Sequence, residues 1–117
     1  MLKVALLLIL IIPSAAMAEL AGRWILSIDT PRGTQNPELE IVQDEQGYSG
    51  TYHSLRGPVD IETITRDGNA FAFQIEITVP IGAIAVTYEG TIDGDSMSGK
   101  VINPRGEVTF TGKRDTR

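Results

Sequence analysis

A chain of 117 residues without a single cysteine leaves room for one ordinary domain and excludes a disulfide framework or a thiolate metal site. Its 15 acidic residues outnumber 10 basic ones, and neither sign forms a run. The basic stripe of a nucleic-acid binder is missing, and an anionic membrane surface is not an expected partner.

Lys3 precedes a wholly apolar stretch, residues 4–12, which Pro13 ends. Ala16-Met17-Ala18 then offers a small-x-small cleavage pattern. Residues 1–18 read as a secretory signal, and residues 19–117 as the mature domain, placed in the periplasm or outside the cell. Nine apolar residues cannot cross a hydrocarbon core that needs about 20, and no later stretch approaches that length, so no membrane insertion of the mature chain is expected. Without Lys3, nine basic residues face 15 acidic ones, a net charge of −6. A small exported domain often relies on disulfides; this one must rely on its core.

Seven turn signals divide the mature chain into eight segments. They are Pro31-Arg32-Gly33, Asp44-Glu45-Gln46-Gly47, Arg56-Gly57-Pro58, Asp67-Gly68-Asn69, Pro80-Ile81-Gly82, Asp93-Gly94-Asp95 and Asn103-Pro104-Arg105-Gly106. Glycine supplies positive φ and proline pre-sets a turn, so each cluster breaks a strand for a stated reason.

Most segments alternate in polarity. Trp24, Leu26 and Ile28 share one face, with Ile25 an apolar exception on the other. Leu39 and Ile41 follow, then Tyr48 and Tyr52. Val59 and Ile61 share a face, but Ile64 has the opposite parity, which predicts a bulge near Thr63. Phe71, Phe73, Ile75 and Ile77 come next, then Ile84, Val86, Tyr88 and Ile92, then Met97 and Val101, then Val108 and Phe110. A two-residue period over so many segments predicts strands with one dry face and one wet face.

A short pattern, apolar-x-Gly-[Thr/Lys/Arg], recurs at Leu20-Ala21-Gly22-Arg23, Tyr48-Ser49-Gly50-Thr51, Tyr88-Glu89-Gly90-Thr91, Met97-Ser98-Gly99-Lys100 and Phe110-Thr111-Gly112-Lys113. Parity puts Gly50, Gly90, Gly99 and Gly112 on the inward face. Glycine inside a strand marks a bend or a close approach, and four inward glycines suit a sheet that curls shut. The expected fold is therefore all-β, a single small eight-stranded antiparallel up-and-down barrel.

Gly22-Arg23-Trp24 opens the first segment, and Phe110-Thr111-Gly112-Lys113-Arg114 closes the last. This resembles the calycin pattern of lipocalins and avidins, barrels that begin with Gly-x-Trp. The resemblance implies that Trp24 plugs the closed end, with Arg114 or Lys113 packed over it. Gly47-Tyr48-Ser49-Gly50-Thr51-Tyr52 is similar to avidins at the third strand. The chain is shorter than a typical lipocalin, lacks a sign of its C-terminal helix, and has one tryptophan where avidins place several around biotin. Biotin binding is not implied.

Eight strands enclose an interior that side chains just fill, or that holds one small ligand. The large inward residues favour filling, with a small apolar pocket at one mouth as the alternative. Tyr48, Tyr52 and Tyr88 share the inward parity and are the candidate ligand-binding residues, since a buried phenol needs a hydrogen-bond partner.

Other chemistries find little support. His53, the only histidine, falls on the outward face beside Tyr52 and lacks the nucleophile and acid of a triad. One histidine and no cysteine do not make a zinc or copper site. Glu38 with Glu40, and Asp60 with Glu62, read as solvated strand faces rather than glycosidase pairs. Asp93-Gly94-Asp95 reads as a hairpin turn, since it lacks a calcium-loop pattern. No cofactor is expected. The sequence thus points to a non-catalytic binding module for a small apolar or amphipathic ligand. The alternative is a protein-interaction module, such as an inhibitor of a secreted hydrolase.

Overall fold

The two-residue alternation becomes strand pairing from one end of the domain to the other. The computed structural model describes residues 19–54 and 56–115; the signal reading of residues 1–18 lies outside the described residues. The strands are β1 Gly22–Thr30, β2 Gly33–Gln35, β3 Glu38–Asp44, β4 Gly47–Ser54, β5 Gly57–Asp67, β6 Ala70–Val79, β7 Gly82–Asp93, β8 Ser96–Asn103 and β9 Gly106–Arg114. Each pairs antiparallel with its neighbour, and β9 returns to β1, with Trp24 opposite Arg114 and Ile28 opposite Phe110. The result is a closed eight-stranded barrel plus one extra short strand, with no helix among the described residues.

The barrel has the expected eight strands, and the short strand is an addition to them. The segment between the first two turns is broken in two: β2 pairs with the end of β1 and β3 with its start, on the same side. Proline has no N–H to give a ladder, and Pro37 sits at the break. Local bonds repair the gap. Leu26 N donates to Pro37 O at 2.9 Å, and Asn36 Nδ2 donates to Leu26 O at 3.0 Å.

Parity placed the core correctly. Trp24, Leu26, Ile28, Leu39, Ile41, Ile61, Phe71, Phe73, Ile75, Val86, Ile92, Met97, Val101 and Phe110 are all buried. The bulge expected near Thr63 is present. Tyr48 pairs with Ile64 while Gly50 pairs with Ile61, so β5 carries one extra residue and Ile64 turns inward.

Glycines let the wall bend where strands crowd. Gly90 lies directly opposite Gly99. A Cβ on Gly99 would lie 2.0 Å from Glu89 O, and one on Gly50 would lie 2.3 Å from Glu40 O. These are backbone collisions, so the sheet coils here only because the side chain is missing.

Two features break the barrel's regularity on one side. β5 pairs with β6 only from Ile64 opposite Phe73 to Asp67 opposite Ala70. Residues 57–63 and 74–79 have no pairing with each other, so a slit runs from mid-barrel toward the Pro80 turn. Furthermore, β7 meets β8 only from Thr87 onward. Residues 75–79 and 82–86 therefore form a two-stranded ribbon, paired to each other from Ile75 opposite Val86 to Val79 opposite Gly82.

Candidate functional site

The two ends of the barrel differ. One end carries the start of the domain and the turns near residues 45, 68 and 94; it is sealed. Leu20 and Trp24 have no exposed surface. Trp24 Nε1 donates to Leu20 O at 2.9 Å, which folds the leading segment across the barrel floor. The Arg114 guanidinium carbon lies 4.3 Å from the centre of the Trp24 ring, a cation–π stack. Its Nη1 donates to Ala21 O at 3.0 Å, its Nη2 to Glu19 O, and its Nε to Asp95 Oδ1 at 2.9 Å. One planar fork thus ties the leading segment, β9 and the β7–β8 turn together. Of the two basic residues considered over Trp24, Arg114 takes the place; Lys113 is exposed on the outer wall.

The opposite end carries the turns near residues 32, 56, 81 and 105. Here Val59, Ile77, Ile84 and Val108 are partly buried and pack against the core from above. Below this rim stands a polar contact inside the barrel that joins two opposed strands. Tyr52 Oη and Tyr88 Oη are 2.6 Å apart, and the two residues are 5 % and 2 % exposed. Stacking fixes the Tyr88 ring: Phe73 lies parallel at 4.8 Å, and Phe110 meets it edge-on at 5.5 Å.

Each phenol carries one proton. One O–H donates to the other oxygen, and the described residues supply no acceptor for the second. Burial pushes the Tyr52 hydroxyl above its ordinary pKa of 10.0, against the opposing effect of the bond from Tyr88. Burial also pushes Tyr88 up, and the neighbouring Tyr52 adds to the rise. Both groups stay protonated at physiological pH. The pair is a neutral, preorganised donor set within the apolar core. It can give one hydrogen bond to an acceptor, and it holds no nucleophile.

Tyr48 does not join them. It lies at the sealed end of β4, half-buried, where Arg66 Nη1 donates to its hydroxyl at 3.2 Å and the guanidinium stands 5.9 Å from the ring centre. Of three tyrosines sharing one parity, two meet and the third is a structural anchor. The cause is distance along the strand: four residues separate Tyr48 from Tyr52, about 13 Å of extended chain.

His53 stands on the outer wall, its Nε2 3.5 Å from Glu40 Oε1 and with no hydrogen-bond partner. Neither a serine nor a second acid completes a triad around it among the described residues. No group of three or more His, Cys, Asp or Glu side chains able to hold a metal occurs among the described residues. Two shallow grooves open on the outer wall, one bordered by Thr91, Ser98 and Thr111 beside Gly112, the other by Thr65, Ala72 and Glu89 beside Gly90. They sit where missing side chains thin the sheet.

Two structural residues escaped the sequence reading. Leu20 precedes the first strand, so parity gave it no face. Arg56 spans the slit, its Nη1 donating to Thr78 O at 3.3 Å.

No protein-family model matches the chain, and no curated protein matches it in sequence. Among solved structures, it is similar to a redesigned β-barrel, with a TM-score of 0.58 over 82 % of this chain and 91 % of that one, at 18 % identity. That likeness concerns the barrel fold alone.

Proposed function

We propose that the chain is an exported, calycin-like binding barrel that takes a small apolar or amphipathic ligand at its unsealed end. The observation that carries this reading is the Tyr52–Tyr88 pair: two buried phenols, with one spare donor, beneath a rim of Val59, Ile77, Ile84 and Val108. A core built for stability alone gains nothing from a polar pair that leaves a donor unsatisfied. A ligand whose acceptor takes that hydrogen bond, and whose chain lies along the aliphatic rim, would satisfy both features.

The slit between β5 and β6 supports the same reading, because a wall without a complete ladder can yield at low cost. Arg56 stands at its outer end, bonded to Thr78 O. The ligand would displace side chains at the mouth, since the interior below the rim is largely filled.

Thermal shifts of the exported chain with long-chain carboxylic acids, alcohols and alkanes test the proposal. An acceptor-bearing amphiphile should raise Tm, and replacing both tyrosines, Tyr52→Phe with Tyr88→Phe, should weaken that ligand about tenfold while sparing the alkane. A panel without any shift, together with soaked crystals showing an unchanged interior, would sink it.

A further inference from the structure

The four turns at the unsealed end share one design. They read Thr30-Pro31-Arg32-Gly33, Ser54-Leu55-Arg56-Gly57, Val79-Pro80-Ile81-Gly82 and Asn103-Pro104-Arg105-Gly106. The third place is arginine in three of them and isoleucine in the fourth. Each arginine is fixed by the residue two places earlier. Arg32 N donates to Thr30 Oγ1 at 3.2 Å, Arg56 N to Ser54 Oγ at 3.1 Å and Arg105 N to Asn103 Oδ1 at 2.8 Å. All three arginines are exposed, and none makes an ion pair among the described residues. They stand far apart in the chain, so the sequence shows no basic run; the up-and-down topology brings them to one rim.

The fourth tip, Ile81, is 90 % exposed, and the run 77–86 around it has no charged residue. Arg56 Nη1 reaches Thr78 O at 3.3 Å, three residues before Ile81, so a cation stands beside the apolar tip. The sealed end is the reverse. Its turns, residues 44–47, 67–70 and 93–96, carry Asp44, Glu45, Asp67, Asp93 and Asp95 and no basic residue.

We propose that the unsealed end docks on an anionic lipid surface, as a peripheral contact rather than a span. Arg32, Arg56 and Arg105 meet head-group phosphates, and Ile81 enters the interfacial layer. The two features together name the occupant. Guanidinium groups pair with phosphates, and an exposed aliphatic tip gains only where apolar matter lies just behind the charge. The net charge of −6 does not oppose this contact. The acidic turns lie a strand's length away, about 20 Å along a tilted barrel, whereas salt screens exposed charges within about 8 Å. Nearer the rim, Glu107 pairs with Lys100 at 3.5 Å. Asp60 and Glu76 stand four and five residues from Arg56 and Ile81, about 13–16 Å of strand. Asp29, three residues from Arg32, is then the one nearby acid against three arginines. Surface docking of this kind is separate from ligand binding and does not depend on it.

Co-sedimentation of the exported chain with vesicles tests the proposal. Vesicles of phosphatidylcholine with about one third phosphatidylglycerol should bind at least about tenfold tighter than phosphatidylcholine alone, and the difference should fade as salt rises. Arg32→Gln with Arg105→Gln should weaken binding about 25-fold, roughly fivefold for each charge. Ile81→Ser should weaken it about tenfold. These side chains are exposed, so thermal unfolding of the variants should be unchanged. Glu45→Gln with Asp67→Asn removes two acids at the far end and should leave binding within about twofold. Equal binding to both vesicles, binding to neither, or far-end variants that shift it as much as the rim variants would overturn the proposal. So would equally tight binding of dihexanoyl-phosphatidylglycerol below its micellar concentration, which would mean that the tips hold single lipid molecules rather than a surface.

Discussion

Arg114 lies flat over Trp24, 4.3 Å from guanidinium carbon to ring centre, and joins the last strand to the first at the barrel's sealed end. The arginine does more than stack. Its bonds to the Ala21 and Glu19 carbonyls hold the segment that carries Leu20 into the core. Arg114→Ala should cost about 2–3 kcal/mol, because it strips the Ala21 and Glu19 carbonyls of a charged donor and uncovers the buried Trp24 ring. Arg114→Lys keeps the charge but loses the fork, and should cost about half as much. The exposed Asp95 contributes little, so Asp95→Ala should change stability by less than about 0.5 kcal/mol. Urea unfolding followed by the fluorescence of Trp24, the sole tryptophan, reads all three.

The inward glycines should rank by what a methyl group would strike. Gly99→Ala and Gly50→Ala meet backbone oxygens at 2.0 and 2.3 Å, so two strands must separate; each should cost about 3 kcal/mol or more. Gly112→Ala meets Met97 Cγ at 2.7 Å, and that side chain can yield, so about 1–2 kcal/mol is expected. Gly94→Ala is the control: nothing lies within 4 Å, and only its φ of 62° opposes a side chain, at about 1 kcal/mol. Thermal unfolding of the four variants checks the order.

The alternation of Phe71, Phe73, Ile75 and their counterparts made the barrel legible, because a side-chain period of two can bury only one face of a strand. The bulge was legible too, in the parity break between Ile61 and Ile64. Parity is blind to position along the strand, which is why Tyr48 looked equivalent to Tyr52 and is not. It is equally blind to neighbours across the barrel. The Tyr52–Tyr88 bond links residues 36 apart, and no local pattern states which strands face each other across a lumen. The slit beside β5 was hidden for the same reason: an unpaired edge has the same alternation as a paired one. Even the break at Pro37 was visible as a residue, but its effect depended on how β1 shares one side between β2 and β3.

His53 and Glu40 are a surface contact, with side chains 41 % and 45 % exposed. Water screens such a pair, and ordering two exposed side chains offsets much of the attraction. His53→Gln and Glu40→Gln should each shift stability by less than about 0.5 kcal/mol and leave ligand-induced thermal shifts unchanged. A large loss in either would place function on the outer wall rather than at the mouth.

The tyrosine pair should show strong non-additivity. Tyr88→Phe leaves the Tyr52 hydroxyl buried without a partner, and Tyr52→Phe does the converse; each should cost about 1–3 kcal/mol. Replacing both removes donor and acceptor together and leaves rings of the same shape, so the double variant should be no worse than either single one. A denaturant cycle over the four proteins measures the coupling. Additive losses would mean that the contact contributes little and that each ring packs on its own account.

Alkaline pH isolates the same pair by another route. Unfolded tyrosines release their protons near pH 10.0, whereas burial holds the protons of Tyr52 and Tyr88 on the folded barrel to higher pH. Above pH 10 the unfolded chain therefore binds fewer protons than the folded one, and stability must fall as pH rises; below that pH the pair contributes no dependence. Each tyrosine adds a slope of about 1.4 kcal/mol per pH unit once its unfolded form is ionised. The wild-type protein should lose stability above about pH 10.5 more steeply than the Tyr52→Phe/Tyr88→Phe variant, by nearly 3 kcal/mol per unit at most, that is about 2.7. Guanidinium titrations at a series of alkaline pH values compare the two slopes. Equal slopes would show that the phenols ionise freely in the folded state, which the buried, apolar surroundings of the pair do not allow.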